Sequence, residues 1–462
     1  MHSLPKELLS SLAGLPGFNA TSFEQVHADG RQVTAIRLNP AKPVAGMEVL
    51  PEEGSRAGMR IPWSSWGYYL PERPAFVFDP LFHAGTYYVQ EASSMFLEQA
   101  LRQTADLTRP LRVLDLCAAP GGKSTLLQSL LSPDSLLVSN EVIRTRVNVL
   151  QENLVKWGAA NTIITSNDPR DFQRLENYFD VIVVDAPCSG SGLFRRDPAA
   201  IAEWSTDNVQ LCRQRQQRIL ADCWPALRQD GILIYSTCSF SKEEDEEILD
   251  WMVEDLDVTP CRLEIDPAWN IVETMGEKGG YGYRMYPDRV QGEGFFIGCL
   301  RKNDGGSYSR PRSRKPGSEQ LSKKEEGGMS SWLGTDLPLF FFRHQEYAHA
   351  LPLSLAEDLA ILQSACYLKK AGVLLGKPGA KEFIPEHDLA LSVLISRGLP
   401  AVSLSREQAV QYLRKEEIHP DSVHRGWTLA QYAGQNLGWI KILPNRSNNY
   451  YPKEWRILKR ED

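Results

Sequence analysis

The sequence predicts an α/β protein, with a doubly wound, mostly parallel sheet flanked by two smaller α+β units. Three observations carry that prediction. Between Leu111 and about Lys302, short apolar runs alternate with helical stretches, the pattern of a parallel sheet wrapped by helices. Three of the runs end in loops of small residues: Cys117-Ala118-Ala119-Pro120-Gly121-Gly122-Lys123, Asp185-Ala186-Pro187-Cys188-Ser189-Gly190-Ser191-Gly192 and Ser236-Thr237-Cys238-Ser239-Phe240. At 462 residues the chain exceeds one ordinary core, so flanking domains are expected.

The elements follow in order. Leu4 to Phe18 reads as a short helix with a Leu-Pro-Gly stop, and Gln32 to Pro40 alternates like a strand ending at Asn-Pro. A Gly/Pro-rich stretch with an aromatic cluster (Trp63, Trp66, Tyr68, Tyr69, Phe76, Phe78) precedes a strand at Tyr87-Tyr88-Val89 and a helix at Phe96 to Leu101. Residues 1–105 thus form an N-terminal α+β module. Residues 106–302 carry the sheet, with strands expected at Val113–Leu116, Leu136–Ser139, Thr162–Thr165, Val181–Val184, Ile232–Ser236 and Phe295–Leu300. Residues 303–335 read as a flexible linker, dominated by Gly, Ser, Pro, Arg and Lys. Residues 336–462 form a separate α+β domain with helices at Ser354–Gln363 and Ser405–Leu413 and strands at Trp427–Tyr432 and Leu437–Leu443. The length and polarity of the linker predict a tail whose placement is free to vary.

Composition bounds the function classes. No apolar run approaches the roughly 20 residues of a bilayer span, and the N-terminus lacks a basic region followed by an apolar stretch. A cytoplasmic protein without membrane contact is expected. The eight cysteines are scattered without CxxC pairs, so free thiols and no metal site are expected. The net charge of −7 argues against non-specific nucleic-acid binding but leaves room for a local basic groove. The acidic run Lys242-Glu243-Glu244-Asp245-Glu246-Glu247 reads as the solvated first turn of a helix.

The first small-residue loop is not a Walker A loop, because residue 117 is cysteine where that pattern needs glycine. It is instead a strand, a tight turn and a helix opened by Lys123 and Ser124, a geometry that lets backbone approach a ligand and offers a helix N-terminus to a carboxylate. Glu141, about 20 positions beyond the loop, is placed for ribose hydroxyls, and Asp168 at the next strand end for an adenine edge. Together these fit S-adenosylmethionine. Small residues that merely allow helix–strand packing are the alternative.

A cysteine beside a strand is usually a small buried hydrophobe, the reading for Cys117, Cys212, Cys223, Cys261, Cys299 and Cys366. Cys188 and Cys238 differ, since each sits in a turn of small residues directly after a buried strand. Such thiols suit attack on a carbon without a leaving group. C5 of cytosine is a poor nucleophile until a thiolate adds to C6. A nearby carboxyl group at N3 assists that addition, and a base must later remove the C5 proton. The base must also be withdrawn from any stack. Chemistry alone asks for one thiolate and does not choose between the two.

These three loops resemble the RNA cytosine-5 methyltransferases of the Sun (NSUN) type. The segments Phe194-Arg195-Arg196-Asp197-Pro198, Arg284-Met285-Tyr286-Pro287 and Gly292-Glu293-Gly294-Phe295-Phe296 extend the likeness. In the tail, Gly372 to Gly376, Gly438 to Lys441 and Asn449 to Lys453 are similar to bacterial RsmF-type 16S ribosomal RNA methyltransferases. The resemblance implies a Rossmann-like, S-adenosylmethionine-dependent methyltransferase core between an N-terminal module and a C-terminal PUA-like RNA-binding domain. It makes Cys238 the nucleophile and gives Cys188 a part in product release. DNA cytosine-5 enzymes attack with the cysteine at the Cys188 position, which is the alternative. It assigns Ala118, Ala119, Pro120, Gly121, Gly122, Lys123, Ser124, Glu141, Asp168 and Asp185 to the cofactor, with Asp185 also facing the cytosine. The expected partner is ribosomal RNA or the small ribosomal subunit, bound by a monomer. Transfer RNA methylation and a non-catalytic RNA-binding assembly factor are the rival functions. Basic and aromatic residues interleave in the tail (Arg425, Trp427, Lys441, Tyr450, Tyr451, Lys453), suited to phosphates and unpaired bases or to an ordinary small core.

Overall fold

The computed structural model describes residues 4–44, 59–305, 319–379, 382–420 and 424–459. A ten-stranded sheet runs through its centre. Five parallel strands form the middle, in spatial order Leu227–Thr237, Phe179–Asp185, Arg112–Asp115, Leu136–Asn140 and Thr162–Thr165. All six expected strands are present. Their apolar runs alternate between two buried faces. Leu114, Val138, Ile182 and Leu233 pack with Leu220 and Leu249, while Val113, Leu137, Val181 and Ile232 pack with Leu101 and Leu126. Burial on both faces is why these strands read as continuous hydrophobic stretches.

The strand order reverses between Arg112–Asp115 and Phe179–Asp185, which creates the crevice where such sheets bind ligands. Beyond Leu227–Thr237 the sheet continues through the antiparallel strands Phe295–Lys302, Tyr281–Met285 and Val272–Met275. The last two escape sequence patterning because their polar and small residues lack a continuous apolar run.

In the N-terminal module, Thr34–Leu38 pairs antiparallel with both Gly67–Leu70 and Tyr87–Val89. The first helix spans only Lys6–Leu12, ending before Gly14 and Pro16. Its Leu8 and Leu12 join Phe23 in a small core with Phe240 and Tyr286, so the module packs directly on the second cysteine loop.

The tail and the described part of the expected linker differ from expectation, while residues 306–318 of that linker lie outside the described residues. A capping box closes Ser322 onto Glu325 and starts a helix at Lys323–Ser330, with Leu321 and Met329 buried, so residues 319–335 are built into the fold. Leu321 and Met329, with Trp332 and Leu333 packed beside them, anchor a segment whose composition is otherwise that of a linker. Nor is the tail placed freely. Strand Leu368–Ala371 hydrogen-bonds antiparallel to Thr162–Thr165 and completes the central sheet, and helix Ala356–Ala365 adds Leu359 and Leu362 to its core. The tail also forms a five-stranded sheet that includes Leu339–His344, Tyr347–Pro352 and Val373–Pro378, followed by a four-stranded sheet containing Gly426–Tyr432 and Gln435–Ile442.

Candidate active site

The turn after Arg112–Asp115 leads into helix Gly122–Leu130. Gly121 sits at φ +115°, a conformation that excludes a side chain in practice. Ser124 Oγ donates to Asp115 Oδ2 at 2.6 Å, while buried Asp115 Oδ1 has no partner. Burial raises the Asp115 carboxyl to about 7 against the opposing Ser124 hydrogen bond.

Asn140 ties three strand ends together. Its Nδ2 donates to the Leu116 and Asn167 carbonyls, and its Oδ1 accepts from Thr165 Oγ1 and the Asn167 amide. Its carbonyl accepts from the Ala118 amide at 2.8 Å. Glu141 is buried beside this hub, accepting from the Ile143 amide at 2.9 Å and pairing with Arg146 at 3.3 Å. Arg146 also donates to the Ala119 carbonyl at 2.6 Å, and Asn153 holds that of Pro120 at 2.8 Å. Asp168 caps the turn at the third strand end through the Arg170 amide, with Arg218 at 3.8 Å.

Lys123 crosses from the cofactor-type loop to the first cysteine loop. Its Nζ lies 2.7 Å from Asp185 Oδ2, and Asp185 Oδ1 accepts from Ser236 Oγ at 2.9 Å. Burial works against the Lys123 charge, but Asp185, with Asp115 and Cys238 behind it, keeps the ammonium above its ordinary range.

The two cysteine loops meet. Cys188 Sγ and Cys238 Sγ are 3.0 Å apart, both half-buried and free. The Gly192 amide donates to the Cys238 carbonyl at 2.7 Å, and a Cβ on Gly192 would lie 2.3 Å from that oxygen. Only glycine permits this approach. The Cys188 thiol is pushed well above its ordinary value by its hydrogen bond to Cys238, then by burial and nearby negative charge. The contact and the burial both favour the protonated form of Cys188.

The acidic run is not a solvated helix turn. Glu244, Asp245 and Glu246 are buried. Glu244 accepts from the Ser189 amide at 2.8 Å, Ser189 Oγ at 2.5 Å, Ser239 Oγ at 2.6 Å and Gln216 Nε2 at 3.0 Å, which fastens one cysteine loop to the other. Burial raises its carboxyl, while these hydrogen bonds pull it down. Arg284 forks onto Glu246 and pairs with Asp245 at 3.1 Å, and its Nη1 donates to the Phe240 carbonyl at 2.8 Å. Apart from Ser239, these partners come from segments distant in the chain, so little in the local sequence marked the run as structural.

Sequence reasoning also missed Arg37 and Asp115. Arg37, from the N-terminal module, is fully buried and donates to Gln90 Oε1, the Gly122 carbonyl and Thr125 Oγ1 at 2.8, 3.3 and 2.6 Å. No motif signals it. Asp115 was visible as the acid closing the first strand. Among the expected residues, Lys123, Asp185, Cys188 and Cys238 form one cluster. Glu141 and Asp168 lie at neighbouring strand ends, without contact between them.

The residues fit S-adenosylmethionine. The crevice lies at the sheet's switch point, the glycine turn leaves backbone open to a ligand, and Asp115 keeps an orphaned buried oxygen beneath the loop. Asp115, the 118–124 loop, Glu141 and Asp168 would hold it. Fold and site together define an S-adenosylmethionine-dependent methyltransferase.

Comparisons with known proteins narrow the class. The family described as 16S rRNA methyltransferase RsmB/F matches residues 103–301, the N-terminal domain of 16S rRNA methyltransferase RsmF matches 4–92, and the methyltransferase RsmF PUA domain matches 399–457. Ribosomal RNA small subunit methyltransferase F of Aliivibrio fischeri is 29% identical over 410 residues, covering 85% of each chain. Its namesake from Escherichia coli O127:H6 is 28% identical over 413 residues, covering 85% of this chain and 84% of its own. A methyltransferase homologue from Pyrococcus horikoshii superposes with TM-score 0.51 at 29% identity, covering 65% of this chain and all of that one. NSun6 from Pyrococcus horikoshii, at 20% identity and TM-score 0.51, shares the fold over 65% of this chain and 99% of its own. Over residues 4–92, 103–301 and 399–457 the chain is thus similar to the RsmB/F-type 16S rRNA methyltransferases.

Proposed function

We propose that this enzyme methylates C5 of a cytosine in 16S ribosomal RNA through a covalent adduct between Cys238 and C6. The observation that carries this reading is the pair of thiols 3.0 Å apart beside the Lys123–Asp185 ion pair. Cys238 attacks as thiolate, and Lys123, kept cationic, offsets its charge. N3 takes up a proton from water as the C6–S bond forms, with Asp185 holding the cytosine edge. Bound S-adenosylmethionine supplies an electrophilic methyl group to C5. Cys188, which gives its proton to solvent once Cys238 is bonded to carbon, takes the C5 proton as a thiolate. The C6–S bond then breaks, returning Cys238 as a thiolate, and N3 releases its proton to water.

The PUA-domain match and the names of the relatives support ribosomal RNA as substrate, with the N-terminal module and tail docking it. The finer expectations belong to the same proposal: a cytoplasmic monomer that acts on rRNA or the small subunit. Among the described residues no helix is long and apolar enough to cross a membrane, and no cluster of His, Cys, Asp or Glu is placed to hold a metal.

The test is a trap with 5-fluorocytosine-containing 16S RNA, with transfer RNA transcripts alongside. Cys238→Ser is expected to abolish the adduct and Cys188→Ala to retain it. The reverse pattern overturns the assignment of the thiols, and trapping on transfer RNA alone overturns the substrate.

A further inference from the structure

Backbone hydrogen bonds step across four neighbouring strand ends of the central sheet. The Ala118 amide donates to the Asn140 carbonyl at 2.8 Å, the Glu141 amide to that of Thr165 at 3.2 Å, and the Ser166 amide to that of Tyr367 at 3.3 Å. The first three ends belong to Arg112–Asp115, Leu136–Asn140 and Thr162–Thr165, and the fourth is supplied by the tail, just before Leu368–Ala371. Neighbouring strands lie about 4.8 Å apart, so the row places its loops at regular intervals. In order it carries the 118–124 loop, Glu141 for ribose hydroxyls and Asp168 for an adenine edge. That is also the order of methionine, ribose and adenine in S-adenosylmethionine. Tyr367 holds the next place, beside Ser166 and Asn167.

The backbone of Tyr367 is fixed while its side chain stays open. Its amide donates to Asn167 Oδ1 and its carbonyl accepts from Asn167 Nδ2, both at 2.9 Å. Asn167 is itself bonded to the Asn140 hub. On one side of Tyr367, Arg174 Nη1 donates to the Ala365 carbonyl at 3.1 Å, and on the other Leu368 pairs with Thr165. Yet Tyr367 is 66% exposed. Val142 and Ile143, directly after Glu141, are also exposed. An open aromatic ring on a rigid backbone at the ligand-binding edge of the sheet suits the face of a heteroaromatic base. A platform already fixed loses little freedom when that base arrives.

We propose that Tyr367 packs on the adenine of bound S-adenosylmethionine, so that the tail completes the outer end of the cofactor site. The inference rests on the reading of the 118–124 loop, Glu141 and Asp168 as cofactor residues. It gives the strand that the tail adds to the catalytic sheet a part in ligand binding as well as in the fold.

The test is calorimetry on the full chain with S-adenosylhomocysteine, the demethylated product of the cofactor, and separately with adenosine. Tyr367→Ala is expected to weaken both ligands by the same factor, roughly tenfold, the scale of one lost base–aromatic contact. Tyr367→Phe, which keeps the ring, is expected to bind both as the wild type does. The melting temperature without ligand and the affinity for a 16S RNA transcript are expected to stay unchanged in both variants. Wild-type S-adenosylhomocysteine affinity in Tyr367→Ala overturns the proposal, and so does weakened transcript binding with that affinity intact. A loss in Tyr367→Phe equal to that in Tyr367→Ala overturns the ring contact in favour of the hydroxyl. Failure of the wild type itself to bind S-adenosylhomocysteine overturns the underlying cofactor reading, a result distinct from unchanged binding in the variant.

Discussion

Cys188 Sγ and Cys238 Sγ are in hydrogen-bond contact at 3.0 Å, although the two residues lie 50 positions apart in the chain. This contact, together with burial, raises the Cys188 thiol well above its ordinary value. Near neutral pH, iodoacetamide is therefore expected to alkylate Cys238 first. In Cys238→Ala the bond is gone, and Cys188 should react faster than it does in the wild type. Peptide mass spectrometry reads both rates, and primary labelling at Cys188 in the wild type contradicts the assignment.

Glu244 fastens the two cysteine loops to each other. Replacing it with alanine leaves the Ser189 amide and the Gln216 side chain without their acceptor, at a cost of about 2–4 kcal/mol. The sign of its pH dependence follows from its raised carboxyl. Between the unfolded value of 4.5 and the higher folded value, the folded state binds more protons, so this group's contribution falls as pH rises. Glu244→Gln removes that slope. Thermal melts should show the wild-type advantage over Glu244→Gln shrinking as pH climbs from the unfolded value, and a growing advantage would contradict the burial of this carboxylate.

Asp115 follows the same rule over a wider window. Its carboxyl moves from 3.8 unfolded to about 7 folded, chiefly through burial. Stability relative to Asp115→Asn is expected to decline from about pH 4 to pH 7 and then level off, as read by denaturant melts. A flat difference across that window would mean that the carboxylate is solvated.

The sheet was legible because its strands are buried on both faces, and continuous runs such as Val181–Val184 have no other use. The thiols were legible because small residues after such runs mark turns at the ligand-binding edge. Three features were not. Glu244 looked like surface because its partners, Ser189 and Gln216, lie 55 and 28 residues away. Leu368–Ala371 carries two lysines, one of them buried against Asp388, and so lacks the apolar run of a central strand. Arg37 sits in a strand of the N-terminal module, where an arginine is ordinarily a solvent-facing residue. In each case the deciding partner is supplied by tertiary structure.

Arg37 links the N-terminal module to the cofactor-type helix. Burial lowers it to about 9, and the groups it bonds are carbonyl, amide and hydroxyl oxygens. Its ring neighbour is Trp157, with the guanidinium 4.6 Å from the ring centroid. Lysine cannot reproduce the fork that reaches Gly122 and Thr125 together. Arg37→Lys is expected to weaken S-adenosylhomocysteine binding roughly tenfold by calorimetry and to leave RNA binding near wild type, a difference of about 1.4 kcal/mol in one affinity only. Equal loss of both affinities would indicate general unfolding.

Leu368–Ala371 closes an edge of the catalytic sheet, so the tail is part of the catalytic domain's stability. Asp358, on the helix before it, accepts from Tyr178 OH at 2.5 Å and pairs with Arg112 Nε at 2.6 Å, reaching the base of the central strands. Removing everything after residue 335 would strip Thr162–Thr165 of its outer partner and expose the core surface that Leu359 and Leu362 cover. An unpaired strand edge beside an apolar face favours aggregation. The truncated chain is expected to melt well below the full chain and to associate in light scattering. In the full chain, Asp358→Ala should cost about 1–2 kcal/mol by removing a hydrogen-bond acceptor from Tyr178 OH and an ion-pair partner from Arg112. A truncated protein that stays monomeric with an unchanged melting temperature would show that the tail is an independent appendage.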